Sequence, residues 1–263
     1  MSEIHNYLAL HPGHTRVKLG LFELGPDDPF PRCVTSLFVE NHEKIPWSEL
    51  DDQVPAPLEC RSILTGSNQF LATQILDNWK SNSPPPLTLS ENSAIPIRSL
   101  VDVPEKVGAD RLLNAVAVNG LRKPGHAAVI VDSGTAITVD VVNSDGAFLG
   151  GAILPGVLMG ARAMSEFTTT LPLIDGKEFL ERLPDALGRN TEAAMASGLY
   201  WGHLGAVKEL VARISEQLDV PSQLYITGGA LPILEPYFPN AICEKNLSLI
   251  GSVLTARSIL DGE

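Results

Sequence analysis

The sequence predicts an α/β protein of two duplicated lobes, and two stretches carry that expectation. Residues 127–142 (AAVIVDSGTAITVDVV) read as an apolar strand, the turn Asp132-Ser133-Gly134-Thr135 and an alternating strand. Residues 7–22 (YLALHPGHTRVKLGLF) repeat the plan near the N-terminus, with His11-Pro12-Gly13-His14-Thr15 at the turn. Glycine at such a turn lets backbone N–H groups approach a phosphate closely, and a carboxylate there can hold a cation. One loop of this kind in each half points to two lobes gripping one nucleotide between them, and so to phosphoryl transfer.

The elements follow in order. In the first lobe, residues 7–11 and 16–22 form a hairpin, the polar stretch 25–32 is a turn or loop, and 33–39 is a third strand. Residues 62–65 make a short buried strand before Gly66-Ser67-Asn68. Phe70, Leu71, Ile75, Leu76 and Trp79 give residues 69–80 helical spacing, and the prolines at 84–86 end it. Residues 87–89 and 95–100 read as short edge strands. A helix over 107–119 is entered through Gly108-Ala109-Asp110-Arg111, and Lys123-Pro124-Gly125 opens the second lobe. The expected lobes are therefore 1–122 and 123–263. After the Asp132 hairpin come a strand at 148–153 and a Gly/Pro loop at Pro155-Gly156. A long helix runs from Asn190 towards Gln217 with Leu204, Val207, Leu210, Val211 and Ile214 on one face. A buried strand at 224–227 ends in Gly228-Gly229, and a closing helix covers 249–259. Strands alternating with helices in both halves indicate α/β architecture.

Composition narrows the function. The 263 residues are 44% hydrophobic and 19% charged, as in a soluble globular protein with ample core. A formal net charge of −12 argues against general nucleic-acid binding, which needs basic patches. It does not exclude ATP, because backbone donors, lysine and Mg²⁺ neutralise phosphates locally. Cys33, Cys60 and Cys243 are far apart and form no CxxC pair, which fits a reducing cytoplasm and neither a disulfide framework nor a zinc site. The N-terminal MSEIHNYLAL lacks a basic segment followed by a long apolar run, so no signal peptide is expected. No apolar stretch approaches the ~20 residues of a membrane helix.

Three motifs carry candidate chemistry. Asp132-Ser133-Gly134-Thr135 is either an ordinary hairpin turn or a phosphate-and-cation loop, and its near-repeat at residues 13–15 favours the second. Gly228-Gly229 after a strand suits the flat adenosine end of a nucleotide. Gly108-Ala109-Asp110-Arg111 is either a plain helix start, where Asp favours the dipole, or a base beside a cationic anchor. In the second reading Asp110 takes a proton from an attacking hydroxyl and Arg111 grips a carboxylate in a bidentate fork. His5, His42, His126 and His203 show no metal-ligand spacing and read as surface or packing residues. Trp47, Trp79 and Trp201 read as core, and the small residues around 193–198 as a place of close helix packing.

On these residues the chain resembles the type III pantothenate kinases, of the acetate kinase, sugar kinase and actin superfamily. The likeness runs in order through 107–111 (VGADR), 132–140 (DSGTAITVD), 150–156 (GGAILPG), Leu171-Pro172, 188–191 (GRNT), 194–198 and Thr227-Gly228-Gly229. Each motif is unspecific alone; their order and spacing are specific. The resemblance implies two ribonuclease H-like lobes, the actin-like ATPase fold, with a nucleotide cleft between them. It implies transfer of the ATP γ-phosphate to the primary hydroxyl of pantothenate, the first step towards coenzyme A. It also implies Mg²⁺, a monovalent cation (K⁺ or NH₄⁺) and a homodimer. Carried over by position, Asp110 is the general base and Gly108, Ala109, Asp110 and Arg111 contact pantothenate. Thr191 contacts substrate across the dimer, Asp132 holds the monovalent cation and Thr135 meets an ATP phosphate. His11, Pro12, Gly13, His14, Thr15, Arg16, Val17 and Lys18 form the first phosphate loop.

The chain departs from the family pattern in that loop. Where the pattern begins Asp-x-Gly-Asn-Thr, this chain has His11-Pro12-Gly13-His14-Thr15. The absent Asp faces the Mg²⁺–phosphate region, and neutral imidazole is a poor Mg²⁺ partner. The aromatic expected shortly before Gly108 is also replaced, by Leu100, Val101 and Val103. Two alternatives stay open: a non-catalytic regulator of the same fold, and a kinase of another small hydroxy acid. Asp110, Arg111, Asp132 and Thr135 argue for catalysis; His11 and His14 argue against it.

Overall fold

A computed structural model describes residues 4–54, 56–89, 94–175 and 183–262. The first three residues of the segment read for a signal peptide lie outside the described residues. The chain divides into two compact units, one of Met1–Leu121 with Asn246–Glu263 and one of Arg122–Lys245.

The first unit is built on a five-stranded mixed sheet. β1 (His5–Pro12) is central; β2 (Arg16–Leu24) runs antiparallel beside it and β3 (Arg32–Glu40) antiparallel beside β2. On the other side β4 (Arg61–Leu64) and β5 (Leu87–Thr88) add in parallel, giving the order β3-β2-β1-β4-β5. Side chains alternate across a strand, so each face has its own core. Leu8, Leu10, Leu19 and Leu21 pack with Leu50 of α1 (Trp47–Asp51) and Ala72 and Ile75 of α2 (Gln69–Asp77). The Asn68 side chain accepts the Leu71 N–H at 3.1 Å and caps α2. Trp47 and Trp79 are partly buried against this cluster with ring centroids 4.8 Å apart, a more peripheral place than the core positions expected. Residues 95–100 form no edge strand beyond a single bridge at Ser99.

The second unit repeats the topology. β6 (Ala127–Ser133) is central, β7 (Ala136–Val142) and β8 (Phe148–Pro155) follow antiparallel, and β9 (Ser222–Thr227) and β10 (Ile242–Cys243) add in parallel. The order β10-β9-β6-β7-β8 is that of the first sheet, element for element. Its core joins Val129, Val131, Ile137, Val139 and Ile226 to Leu204 and Val207. Leu204 and Val207 lie on the long helix that follows α4 (Val157–Glu166), namely α5 (Thr191–Glu216), and a short α6 (Leu231–Leu234) adds Leu231 and Leu234. Asn190 caps α5 by accepting the Ala193 N–H at 2.7 Å. The helix α4 was not expected: its N-cap is Gly156, inside what the sequence reads as a Gly/Pro loop, and it buries Val157 and Ala161 one turn apart while leaving Leu158 and Met159 exposed.

The closing helix corrects the expected lobe boundary. Spacing along the chain assigns residues 249–259 to the second lobe, yet α7 (Leu247–Asp261) belongs to the first unit. Its residues from Leu247 to Ala256 are all buried, and it packs against α3 (Ala109–Leu121) and the face of the first sheet opposite Leu8 and Leu10. A Cβ on Gly251 would run into the Leu113 carbonyl, so only glycine permits this crossing. Arg61 on β4 reaches Asp261 at the far end of α7 at 2.8 Å. A helix apolar all round needs cover on every side. In this chain β1, β2, β4 and α3 supply it.

Candidate functional site

The first loop is a tight hairpin end. The β1–β2 ladder closes at Pro12–Val17, so residues 13–15 make the turn. Gly13 N–H donates to the Arg16 carbonyl at 3.0 Å. Side-chain amides hold the loop carbonyls: Asn41 Nδ2 donates to Gly13 O at 3.2 Å and His14 O at 2.9 Å, and Asn68 Nδ2 to Gly13 O at 3.3 Å. Gly66, at φ +137°, lies against the loop, where a Cβ would sit 2.5 Å from the Pro12 carbonyl. An approaching anion therefore meets fewer unsatisfied carbonyl dipoles. Of the residues assigned to ATP, His14 is exposed, and Gly13, Thr15, Arg16 and Lys18 are half-buried. Pro12, Val17 and His11 are buried.

His11 lies where sequence reasoning did not put it. The ring is 4% exposed and its Nδ1 is 3.1 Å from Thr65 Oγ1, inside the first unit. An imidazole so engaged, and soft for a hard cation, offers Mg²⁺ no oxygen. The first loop thus does not fit the family's metal ligand at position 11.

The start of α3 presents Asp110 and Arg111. Asp110 Oδ1 accepts the Arg111 N–H at 2.9 Å, so the carboxylate curls over the first turn, at the positive end of the helix. A Cβ on Gly108 would lie 2.6 Å from that oxygen, which makes glycine at 108 a requirement of the carboxylate's pose. Gly108, Ala109, Asp110 and Arg111 are all half-buried, within reach of solvent and ligand.

The second loop sits at the end of β6. Asp132 stands opposite Thr138 on β7 and Thr227 on β9, so the three side chains rise from one face of three adjacent strands. Thr138 Oγ1 is buried and has no hydrogen-bond partner among the described residues. A carboxylate oxygen beside an unsatisfied hydroxyl suits a hard monovalent cation, so the residues present fit that ion. Gly228, at φ +94°, closes over the turn: a Cβ would come within 2.5 Å of Ser133 O and 2.6 Å of Asp132 Oδ1. Gly134 N–H donates to Ala136 O at 3.0 Å and Gly156 N–H to Thr135 O at 3.1 Å. Thr135 is half-buried.

Beneath this loop lies a histidine that no motif marked. His203 Nε2 on α5 is 3.1 Å from Ser133 Oγ, with Ser133 fully buried and His203 7% exposed. Burial holds the ring down to a pKa of about 4, so it is neutral under ordinary conditions. Along the chain it reads only as a surface or packing residue, because a lone histidine on an apolar helix face has no local pattern.

Thr191 is the exposed first residue of α5. It borders a groove of about 540 Å³ between α4 and α5, walled by Met164, Leu171, Ala194, Gly198 and Leu199. Ser197, on the same stretch of small residues, is buried and donates to the Ala186 carbonyl at 2.7 Å. Among the described residues no group of three or more His, Cys, Asp or Glu could hold a metal ion, and no helix is long and apolar enough to cross a membrane.

Similarity to solved structures defines the class. A conserved Baf-family protein from Campylobacter jejuni superposes with a TM-score of 0.58 at 20% identity, over 97% of this chain and 99% of the other. An archaeal actin homologue gives 0.52 at 10% identity, over 98% of this chain and 100% of the other. With the two repeated sheets, these define the two-lobed α/β fold of the actin-like ATPases. The sequence model of the type III pantothenate kinases matches residues 61–213, more than half of the chain. The chain belongs to that family. A type III pantothenate kinase of Ruegeria sp. (strain TM1040) is 37% identical over 162 residues, 62% of this chain and 60% of the relative. The chain spans between half and three-fifths of the length of the curated relatives it matches.

Proposed function

We propose that the chain transfers the γ-phosphate of ATP to the primary hydroxyl of pantothenate, a cytoplasmic first step towards coenzyme A. The match to the kinase family over residues 61–213 supports this most directly, because it includes the α3 start and the Asp132 loop. Asp110 orients the hydroxyl and accepts its proton late in a loose transition state, where positioning and charge neutralisation matter most. Arg111 grips the pantothenate carboxylate, with Gly108 and Ala109 beside it. Thr135 and the loop at residues 11–18 hold phosphates of ATP, with Lys18 supplying positive charge. Asp132 holds K⁺ or NH₄⁺, which contributes fixed positive charge near the phosphates. Position 11, a buried imidazole engaged with Thr65, contributes no Mg²⁺ ligand to the first loop.

A homodimer is part of the proposal. The exposed Leu158 and Met159 of α4, with Ala194 and Gly198 beside Thr191, offer a second copy an apolar, close-approach face. Light scattering behind a sizing column checks the mass.

A coupled assay with and without pantothenate, across a K⁺ titration, tests the reaction. ATP turnover is expected only with pantothenate and only with K⁺ or NH₄⁺. Asp132→Ala is expected to lose the cation response at any salt. Full activity in choline buffer would remove the cation role, and binding without turnover would favour a regulator.

A further inference from the structure

The face of the first sheet beneath α7 carries polar side chains that its apolar surroundings do not call for. His11, Thr65, Ser248 and Ser252 are each 4% exposed or less. They form a connected chain. His11 Nδ1 is 3.1 Å from Thr65 Oγ1, which is 2.9 Å from Ser252 Oγ. Ser252 Oγ donates to the Ser248 carbonyl one turn back at 2.9 Å, and Ser248 Oγ accepts from Lys18 Nζ at 3.5 Å.

Counting hydrogens gives the chain a direction. A hydroxyl has one hydrogen to donate. Ser252 spends its own on the Ser248 carbonyl, so Thr65 donates to Ser252. With the Thr65 hydrogen spent, the hydrogen between His11 and Thr65 belongs to His11 Nδ1. Lys18 stands opposite His11 in the β1–β2 ladder, so the two side chains rise from the same face.

We propose that His11 is a positioning residue of the first phosphate loop. As the Nδ1–H donor at the head of this chain, it ties the end of β1 to Thr65 after β4 and to the first turns of α7. That tie fixes where Lys18 and the turn at residues 13–15 meet an anionic phosphate. The inference rests on the ATP-dependent kinase reading. A carboxylate at position 11 accepts rather than donates, so it would need the whole chain to run in reverse. Histidine here is a different anchoring of the loop, and the hydroxyls of Thr65 and Ser252 belong to it.

Two measurements on the full chain test the proposal. In ¹⁵N-histidine-labelled protein, the His11 ring, identified by its loss in His11→Asn, is expected to carry hydrogen on Nδ1. Hydrogen on Nε2 alone overturns the proposal. Calorimetry then reads ATP and pantothenate affinities separately. Thr65→Val removes the hydroxyl at nearly constant shape and is expected to weaken ATP about five- to tenfold while leaving pantothenate unchanged. Thr65→Ser, which keeps the hydroxyl, is expected to restore most of the ATP affinity. Parent-like ATP binding by Thr65→Val, or equal loss of both ligands, overturns the proposal. Should Thr65→Val fail to fold, the tautomer alone decides. A parent that binds ATP but passes nothing to pantothenate sinks the substrate reading and leaves this one standing; a parent that binds no ATP sinks both.

Discussion

Asp110 has two demands on one carboxylate: its Oδ1 accepts the Arg111 N–H at 2.9 Å at the start of α3, and in the proposed reaction it takes the proton of the attacking hydroxyl. Asp110→Asn keeps the shape and an acceptor for the helix end but cannot take a proton. Turnover is expected to fall by ~10²–10⁴-fold with both ligands still bound. Near-normal kcat at saturating substrate would make Asp110 only a helix-start residue. If Arg111 grips the pantothenate carboxylate as proposed, Arg111→Ala is expected to weaken pantothenate by on the order of 1.5–3 kcal/mol, with ATP affinity unchanged. Equal losses for both ligands would count against the anchor.

At the scale of elements, α7 shows how a helix can be decided by its surroundings. Two of its buried hydroxyls are satisfied locally: Ser252 donates to Ser248 O at 2.9 Å and Thr255 to Gly251 O at 2.8 Å. They can therefore lie among leucines without a solvent partner. The crossing with α3 at Gly251 is the tight point. Gly251→Val is expected to cost about 3 kcal/mol or more in urea unfolding, because backbone rather than a flexible side chain blocks the new atoms. An unchanged midpoint would mean that α3 and α7 can move apart freely.

The whole molecule carries an acid sensitivity in His203. Its folded pKa, about 4, lies below the ordinary 6.5, so the unfolded chain binds a proton that the folded one refuses. Above pH 6.5 the group has no effect on stability. As pH falls from 6.5 towards 4 it destabilises progressively, by on the order of 3 kcal/mol in total, and below about 4 the penalty stops growing. Melting temperature across this window should drop more steeply in the parent than in His203→Gln, which keeps a polar group near Ser133 but cannot be charged. Parallel slopes would mean that the ring titrates freely in the fold.

Much of this protein was legible along the chain. Apolar runs marked β1 and β6, alternation marked β7, and glycine turns marked both loops, because hairpins and tight turns are decided by neighbours in sequence. The order of motifs from Gly108-Ala109-Asp110-Arg111 to Gly228-Gly229 named the family, which the match over residues 61–213 bears out. Tertiary structure decided the rest. The sequence could not place α7 in the first unit, since an all-round apolar helix names no partner face, only that it needs one. It could not turn His11 towards Thr65 and Ser252, or bring His203 to Ser133, across separations of 54, 187 and 70 residues along the chain. Those contacts form because leaving a buried polar group unpaired is costly, and which groups meet is fixed only when sheet and helix faces do.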